Sequence, residues 1–182
     1  MGKSKPKEGI PEIIRRRRSD VLIRQGYISL AVRSIVLVLV LVILFTQVFL
    51  ITQVSGNGMF PAVKDGDLVL AYRLQKDYAK NDVIVYRWDG QTRVGRIIGR
   101  EGDVIMMDDS GNLLVNGTTQ GGEIMYPTYA KEGIEYPYVV PEGTVFLLGD
   151  YRTQTEDSRD FGPVMKSSIQ GKVITILRRR GI

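Results

Sequence analysis

Hydrolytic chemistry in this chain can rest only on hydroxyls, lysines and carboxylates, because none of its 182 residues is histidine or cysteine. That removes the imidazole base of a Ser-His-Asp triad, thiol nucleophiles, disulfides and every metal site built on imidazole or thiolate. The groups that could do chemistry gather in three segments. The first is Ser55-Gly56-Asn57-Gly58-Met59-Phe60-Pro61, followed by Asp65-Gly66-Asp67. The second runs from Val94 through Gly95, Arg96 and Gly99 to Gly102-Asp103. The third, Gly149 to Val164, holds Asp150, Arg152, Thr155, Asp157, Ser158 and Arg159. Residue by residue, the third reads as a turn with Asp–Arg pairs. Asp108 and Asp109 adjoin in a turn, which is too little for a cation site, so neither metal nor cofactor is expected.

Short alternating strands must position these segments. Asp67–Arg73, Asp82–Arg87, Val94–Ile98, Asp103–Met107, Leu113–Asn116, Thr144–Leu148 and Gly171–Leu177 alternate or are rich in β-branched residues. Turn signals separate them at Lys64-Asp65-Gly66, Asp89-Gly90, Asp109-Ser110-Gly111-Asn112 and Pro141-Glu142-Gly143. No sustained 3.6-residue period follows residue 52. The body is expected to be all-β, as two small antiparallel sheets or a partly closed barrel. Residues 118–141, rich in Gly and Tyr, are too long for a hairpin loop and read as an insertion packed over one sheet.

Upstream, Ser34 to Ile51 is free of charge and contains eleven consecutive apolar residues, Ile35–Phe45. As a helix, eighteen residues span roughly 27 Å, close to the thickness of a bilayer's hydrocarbon core. A cleavable signal peptide has a shorter apolar region, and Thr52-Gln53-Val54 offers no small-x-small site. The organisation expected is a basic cytoplasmic segment at 1–33, a retained span at 34–52 and an external domain at 53–182. Residues 1–52 carry nine basic and three acidic side chains, while the rest carry sixteen and seventeen. By the positive-inside rule the basic surplus is expected on the cytoplasmic side, and the body lacks the charge of a nucleic-acid-binding domain.

In order and spacing after an N-terminal span, the three segments resemble type I signal peptidases, membrane serine peptidases with a Ser/Lys dyad. The resemblance covers roughly residues 30–182, and its most specific part is Gly149–Val164, set against the family's G-D-N-R-x-x-S-x-D-S-R-x-F-G-P-V. The resemblance implies a nucleophilic serine in G-x-S-M-x-P and a lysine base in K-R-V-I-G-x-x-G-D. Here Gly58 stands at the serine position and Gly95 at the lysine position. Met59 and Pro61 anchor the first alignment; Arg96, Gly99, Gly102 and Asp103 anchor the second. Ser55, three positions upstream, is displaced by roughly 10 Å along an extended chain. Without an oxygen nucleophile and a neutral amine, the covalent route is absent.

What the resemblance leaves is a groove for an extended peptide, flanked by Gly56, Asn57, Met59, Phe60, Pro61, Val94 and Arg96, with extra room where the two side chains are missing. Asp150, Asp157 and Arg159 match the family's charge pairs, Arg152 and Ser158 fall within the same motif, and Thr155 matches a hydroxyl that orients the lysine. Non-catalytic relatives of this pattern assist pilus assembly in Gram-positive bacteria. The expectation is thus a membrane-anchored, non-proteolytic assembly factor whose partner is a pilin, a sortase or another extended exported polypeptide. The competing expectation is an active signal peptidase acting on exported preproteins. A purely structural anchor is a third.

Overall fold

The computed structural model describes residues 10–121 and 126–178, and the chain divides between Thr46 and Gln47 into two units. The first is almost entirely one helix, α1 (Ile10–Val48). From Ile23 to Val48 it is long and apolar enough to cross a membrane, and its large apolar side chains from Ile35 to Phe45 are about half exposed on every face. A helix apolar all round has no polar side to offer water, whereas in lipid its backbone is already satisfied. Thr46 fits such a segment because its hydroxyl donates to the Ile43 carbonyl one turn back, at 2.9 Å.

The second unit is almost wholly β. Its strands are β1 (Phe49–Gln53), β2 (Leu68–Tyr72), β3 (Val83–Trp88), β4 (Gln91–Arg100), β5 (Val104–Met107), β6 (Leu113–Val115), β7 (Thr118–Thr119), β8 (Tyr138–Val139), β9 (Thr144–Leu148), β10 (Val164–Met165) and β11 (Ile169–Leu177). One turn of helix, α2 (Ser158–Phe161), interrupts them. Two antiparallel sheets result: a seven-stranded one in the order β1-β2-β11-β3-β4-β9-β10 and a four-stranded one in the order β7-β6-β5-β8.

Alternation explains how the sheets pack. In β9, Val145 and Leu147 enter one apolar cluster with Ile84, Tyr86 and Ile97, while Phe146 and Leu148 enter another with Ile98, Ile105 and Leu113. Both faces of β9 are therefore covered, which is why its sequence is a continuous apolar run. A third cluster, with Met59, Val63, Val69 and Val85, lies under the segment that follows β1.

Three boundaries differ from the sequence reading. The helix stops at Val48, so Phe49–Thr52 belong to β1 and not to the span: they pair with Leu70–Tyr72 and Val69 of β2, which satisfies the backbone that leaves the helix. The strand expected at Val94–Ile98 runs from Gln91 to Arg100, because Asp89 (φ 48°) and Gly90 (φ 72°) form a two-residue turn that closes on Trp88 and Gln91. The stretch 118–141 contributes β7 and β8 to the smaller sheet at its two ends, and Tyr136 and Tyr138 pack against that sheet's core. Residues 122–125 within that stretch, and 1–9 of the basic segment, lie outside the described residues.

Candidate functional site

The site is built where the loop after β1 meets the loop after β9. The Tyr151 amide donates to the Gly58 carbonyl at 3.0 Å, which ties the first motif segment to the third. The second segment enters as β4, whose register against β3 is set by the Asp89-Gly90 turn and places Ile84 opposite Gly95. β9 pairs with β4 only over Arg96–Arg100, so Gln91–Gly95 have β3 on one side and no strand on the other. β1 is likewise an edge, paired only with β2 in the sheet order.

Between these edges lies a cavity of about 280 Å³. Its walls are Thr52–Met59, Gln91–Val94 and Gln154–Glu156, with Tyr86 contributing from β3. Gly56, Asn57, Gly58, Met59 and Val94 therefore line one space. Phe60, Pro61 and Arg96 line a different one, described below. A single peptide groove containing all of them is thus resolved into two adjoining cavities. Arg93 and Glu156 form an ion pair of 2.9 Å between two walls of the first, and the Arg93 guanidinium also lies 5.9 Å from the Phe161 ring centre.

The two glycine positions are not empty space. A Cβ on Gly58 would lie 2.8 Å from the Thr155 hydroxyl oxygen, and a Cβ on Gly95 would lie 3.2 Å from the Tyr86 ring and 3.6 Å from the Leu147 Cβ. Thr155 and Tyr86 are thus the side chains that adjoin the two glycines. Tyr86 is 2% exposed, and burial pushes its hydroxyl up to about 12, with the Arg93 charge opposing and the Asp157 and Glu156 charges adding to the rise. It is a neutral phenol with no capacity to act as a base near neutrality.

Thr155 is the one side-chain hydroxyl set against Gly58 in these contacts. The nearest amine with a described bond to the same residue is Lys131, but its Nζ donates to the Thr155 backbone carbonyl (2.6 Å) and to the Asp160 carboxylate (2.7 Å). An ammonium held by a carboxylate is the opposite of the buried neutral amine that a serine–lysine pair requires. The Gly56 amide, at the oxyanion-side position, donates to the Asp65 carboxylate at 2.6 Å and is already engaged.

Around this centre two charge pairs are formed, while the buried Arg152 keeps Nε and Nη2 without a partner among the described residues. Arg96 grips Asp150 through Nε (2.7 Å) and Nη2 (2.6 Å) and donates through Nη1 to the Asn81 carbonyl (2.9 Å). Asp157 and Arg159, each 2% exposed, share two side-chain bonds of 2.9 Å. Arg159 also donates to the carbonyls of Arg152 (2.6 Å) and Tyr129 (3.2 Å). Asp157 caps α2 through a reciprocal box with Asp160 and accepts the Gly149 amide at 3.2 Å, while the Ser158 hydroxyl accepts the Leu147 amide at 2.9 Å. Arg152 donates to the Thr128 hydroxyl at 2.8 Å, and burial lowers its guanidinium to about 10. Sequence reasoning missed Tyr86 and Glu156. The first was within reach, because a two-residue turn at 89–90 fixes the register and puts position 86 diagonal to Gly95 on one face. No local signal brings Glu156 to Arg93.

Comparison with known proteins identifies the family. Residues 27–177 match the family described as Signal peptidase, peptidase S26. The chain is 33% identical over 126 residues to an Arabidopsis thaliana mitochondrial ATP-independent inner membrane protease subunit 1b, covering 65% of this chain and 64% of that one. It is 30% identical over 138 residues to a probable chloroplast thylakoidal processing peptidase 2 of the same plant, covering 67% of this chain but 36% of the relative. It thus spans from about a third to nearly two thirds of these relatives' length. A crystal structure of a signal peptidase I from Enterococcus faecalis V583 superposes with a TM-score of 0.46 at 28% identity, covering 54% of this chain and 97% of that one.

Proposed function

This chain belongs to the signal peptidase family, peptidase S26, and on that footing we propose that it holds exported polypeptides without cutting them. The observation that carries the reading is the pair Gly58 and Gly95, with Thr155 and Tyr86 packed where a serine and a lysine side chain would start. The unpaired edges of β1 and of Gln91–Gly95 support a groove that takes an extended strand by backbone hydrogen bonds, for which neither lost side chain is needed. The role proposed is that of an assembly factor for pilin polymerisation beside a sortase in a Gram-positive cell membrane. In that reading α1 crosses the membrane once, residues 1–33 are cytoplasmic and the β domain is external. Deleting the gene in its host tests this: pilus polymers disappear while preprotein processing continues. A processing defect with normal pili reverses the assignment.

One observation favours a second reading, an active peptidase. The Thr155 hydroxyl lies against Gly58, where a nucleophile belongs. Incubating the purified full chain with a preprotein that carries an Ala-x-Ala site decides between them. Cleavage abolished by Thr155→Ala would establish the enzyme, and an uncut preprotein supports the holding function.

A further inference from the structure

A second, larger cavity of about 580 Å³ is lined by neighbouring residues of the same loop and of β4. The loop that lines the groove as Ser55–Met59 lines this cavity as Phe60–Ala62, and β4 passes Val94 to the groove and Arg96 to the cavity.

The lining has a definite chemistry. Phe60, Pro61 and Ala62 give an apolar wall. Arg96 and Asp150 neutralise one another through their paired bonds. Lys64 and Arg178, both exposed at the rim, have no carboxylate partner among the described residues, and the Lys64 ammonium lies 5.9 Å from the Phe60 ring centre. The described part of the lining is therefore positive. One buried acceptor lies in a residue of its wall. Gln120 donates its Nε2 to the Asn81 side-chain oxygen at 2.9 Å, which fixes the amide's orientation, and its Oε1 is buried without a partner. A buried carbonyl oxygen left unpaired is costly and marks a place for a donor.

We propose that this cavity receives an acidic segment of the polypeptide held in the groove, and so selects partners whose extended strand is followed by aspartate or glutamate. The inference rests on the groove reading above. Acidic side chains on the held peptide supply the missing complement, carboxylates for Lys64 and Arg178. An anionic lipid headgroup supplies charge but is not part of the strand in the groove.

The test uses the full chain in nanodiscs of zwitterionic lipid and two fluorescent peptides that share one alternating strand sequence. One peptide ends in three acidic residues, the other in their Asn and Gln counterparts, and anisotropy reports binding. The acidic peptide should bind at least about tenfold more tightly at low salt, an advantage that shrinks as the Debye length falls. In Lys64→Glu/Arg178→Glu, with folding confirmed by its thermal melt, that advantage should vanish. Equal affinities in the unaltered chain overturn the proposal and leave the groove standing. Preference that survives the double reversal also overturns it. If neither peptide binds, the groove reading fails along with it. If phosphatidylglycerol nanodiscs abolish the preference, and do so only while Lys64 and Arg178 are present, the cavity is a lipid site instead.

Discussion

Two neighbouring regions of the β domain carry the same family pattern in opposite condition. Gly58 and Gly95 present no side chain that could react, and a Cβ there would meet Thr155 and Tyr86. A few residues away, Asp157, Ser158 and Arg159 keep a buried ion pair, a helix cap and bonds to Leu147, Gly149 and Arg152. The contrast separates what the chemistry needs from what the shape needs. A reacting group can be lost without unfolding anything, since a serine hydroxyl and a lysine amine contribute little to packing. A buried arginine cannot lose its carboxylate on the same terms, because the remaining charge has nowhere to go.

The sharpest way to break this contrast is to restore the chemistry alone. Gly58→Ser combined with Gly95→Lys should still cleave a preprotein no better than a site without its dyad, about 10⁶ below an intact one. The Cβ of each new side chain would press on the Tyr86 ring or the Thr155 hydroxyl, which would have to shift. Activity that appears only after Tyr86→Ala is added would identify the ring as the obstacle, and activity in the double variant itself would end the comparison.

Next in size is the intact region. Asp157→Ala leaves Arg159 buried without its carboxylate and should lower stability by about 3–5 kcal/mol, read by chemical denaturation of the full chain. A loss under about 1 kcal/mol would mean the pair is not what holds the turn.

The smallest effect concerns pH. Tyr86 has its folded value raised to about 12, above the ordinary value of 10, so its contribution is complete below pH 10 and is lost as pH rises through 12. The two-unit gap corresponds to about 3 kcal/mol. Alkaline melts between pH 10 and 12 should therefore be flatter in Tyr86→Phe. An unchanged slope would place the ionising group elsewhere.

Much of this was legible in the sequence. Seven strands were readable from alternation, and β9 is an apolar run because both its faces are covered. The edges were harder. β1 was concealed by its continuity with the apolar helix, and the two-residue strands β7, β8 and β10 are too short to show a period. Among the site residues, Gly58 and Gly95 could be located because flanking residues pin them. What surrounds them depends on contacts between distant segments, such as Thr155 against Gly58, and no local pattern encodes those. The division of one expected groove into two cavities has the same origin, since it depends on where β9 begins to pair with β4.

The phenol ring over position 95 also works as a ratchet. A lysine regained there by a lone substitution meets an occupied seat, while a smaller residue gained at 86 by itself opens a void in the core, a loss of about 3–5 kcal/mol for a large aromatic. Neither first step is favourable until the other has been taken.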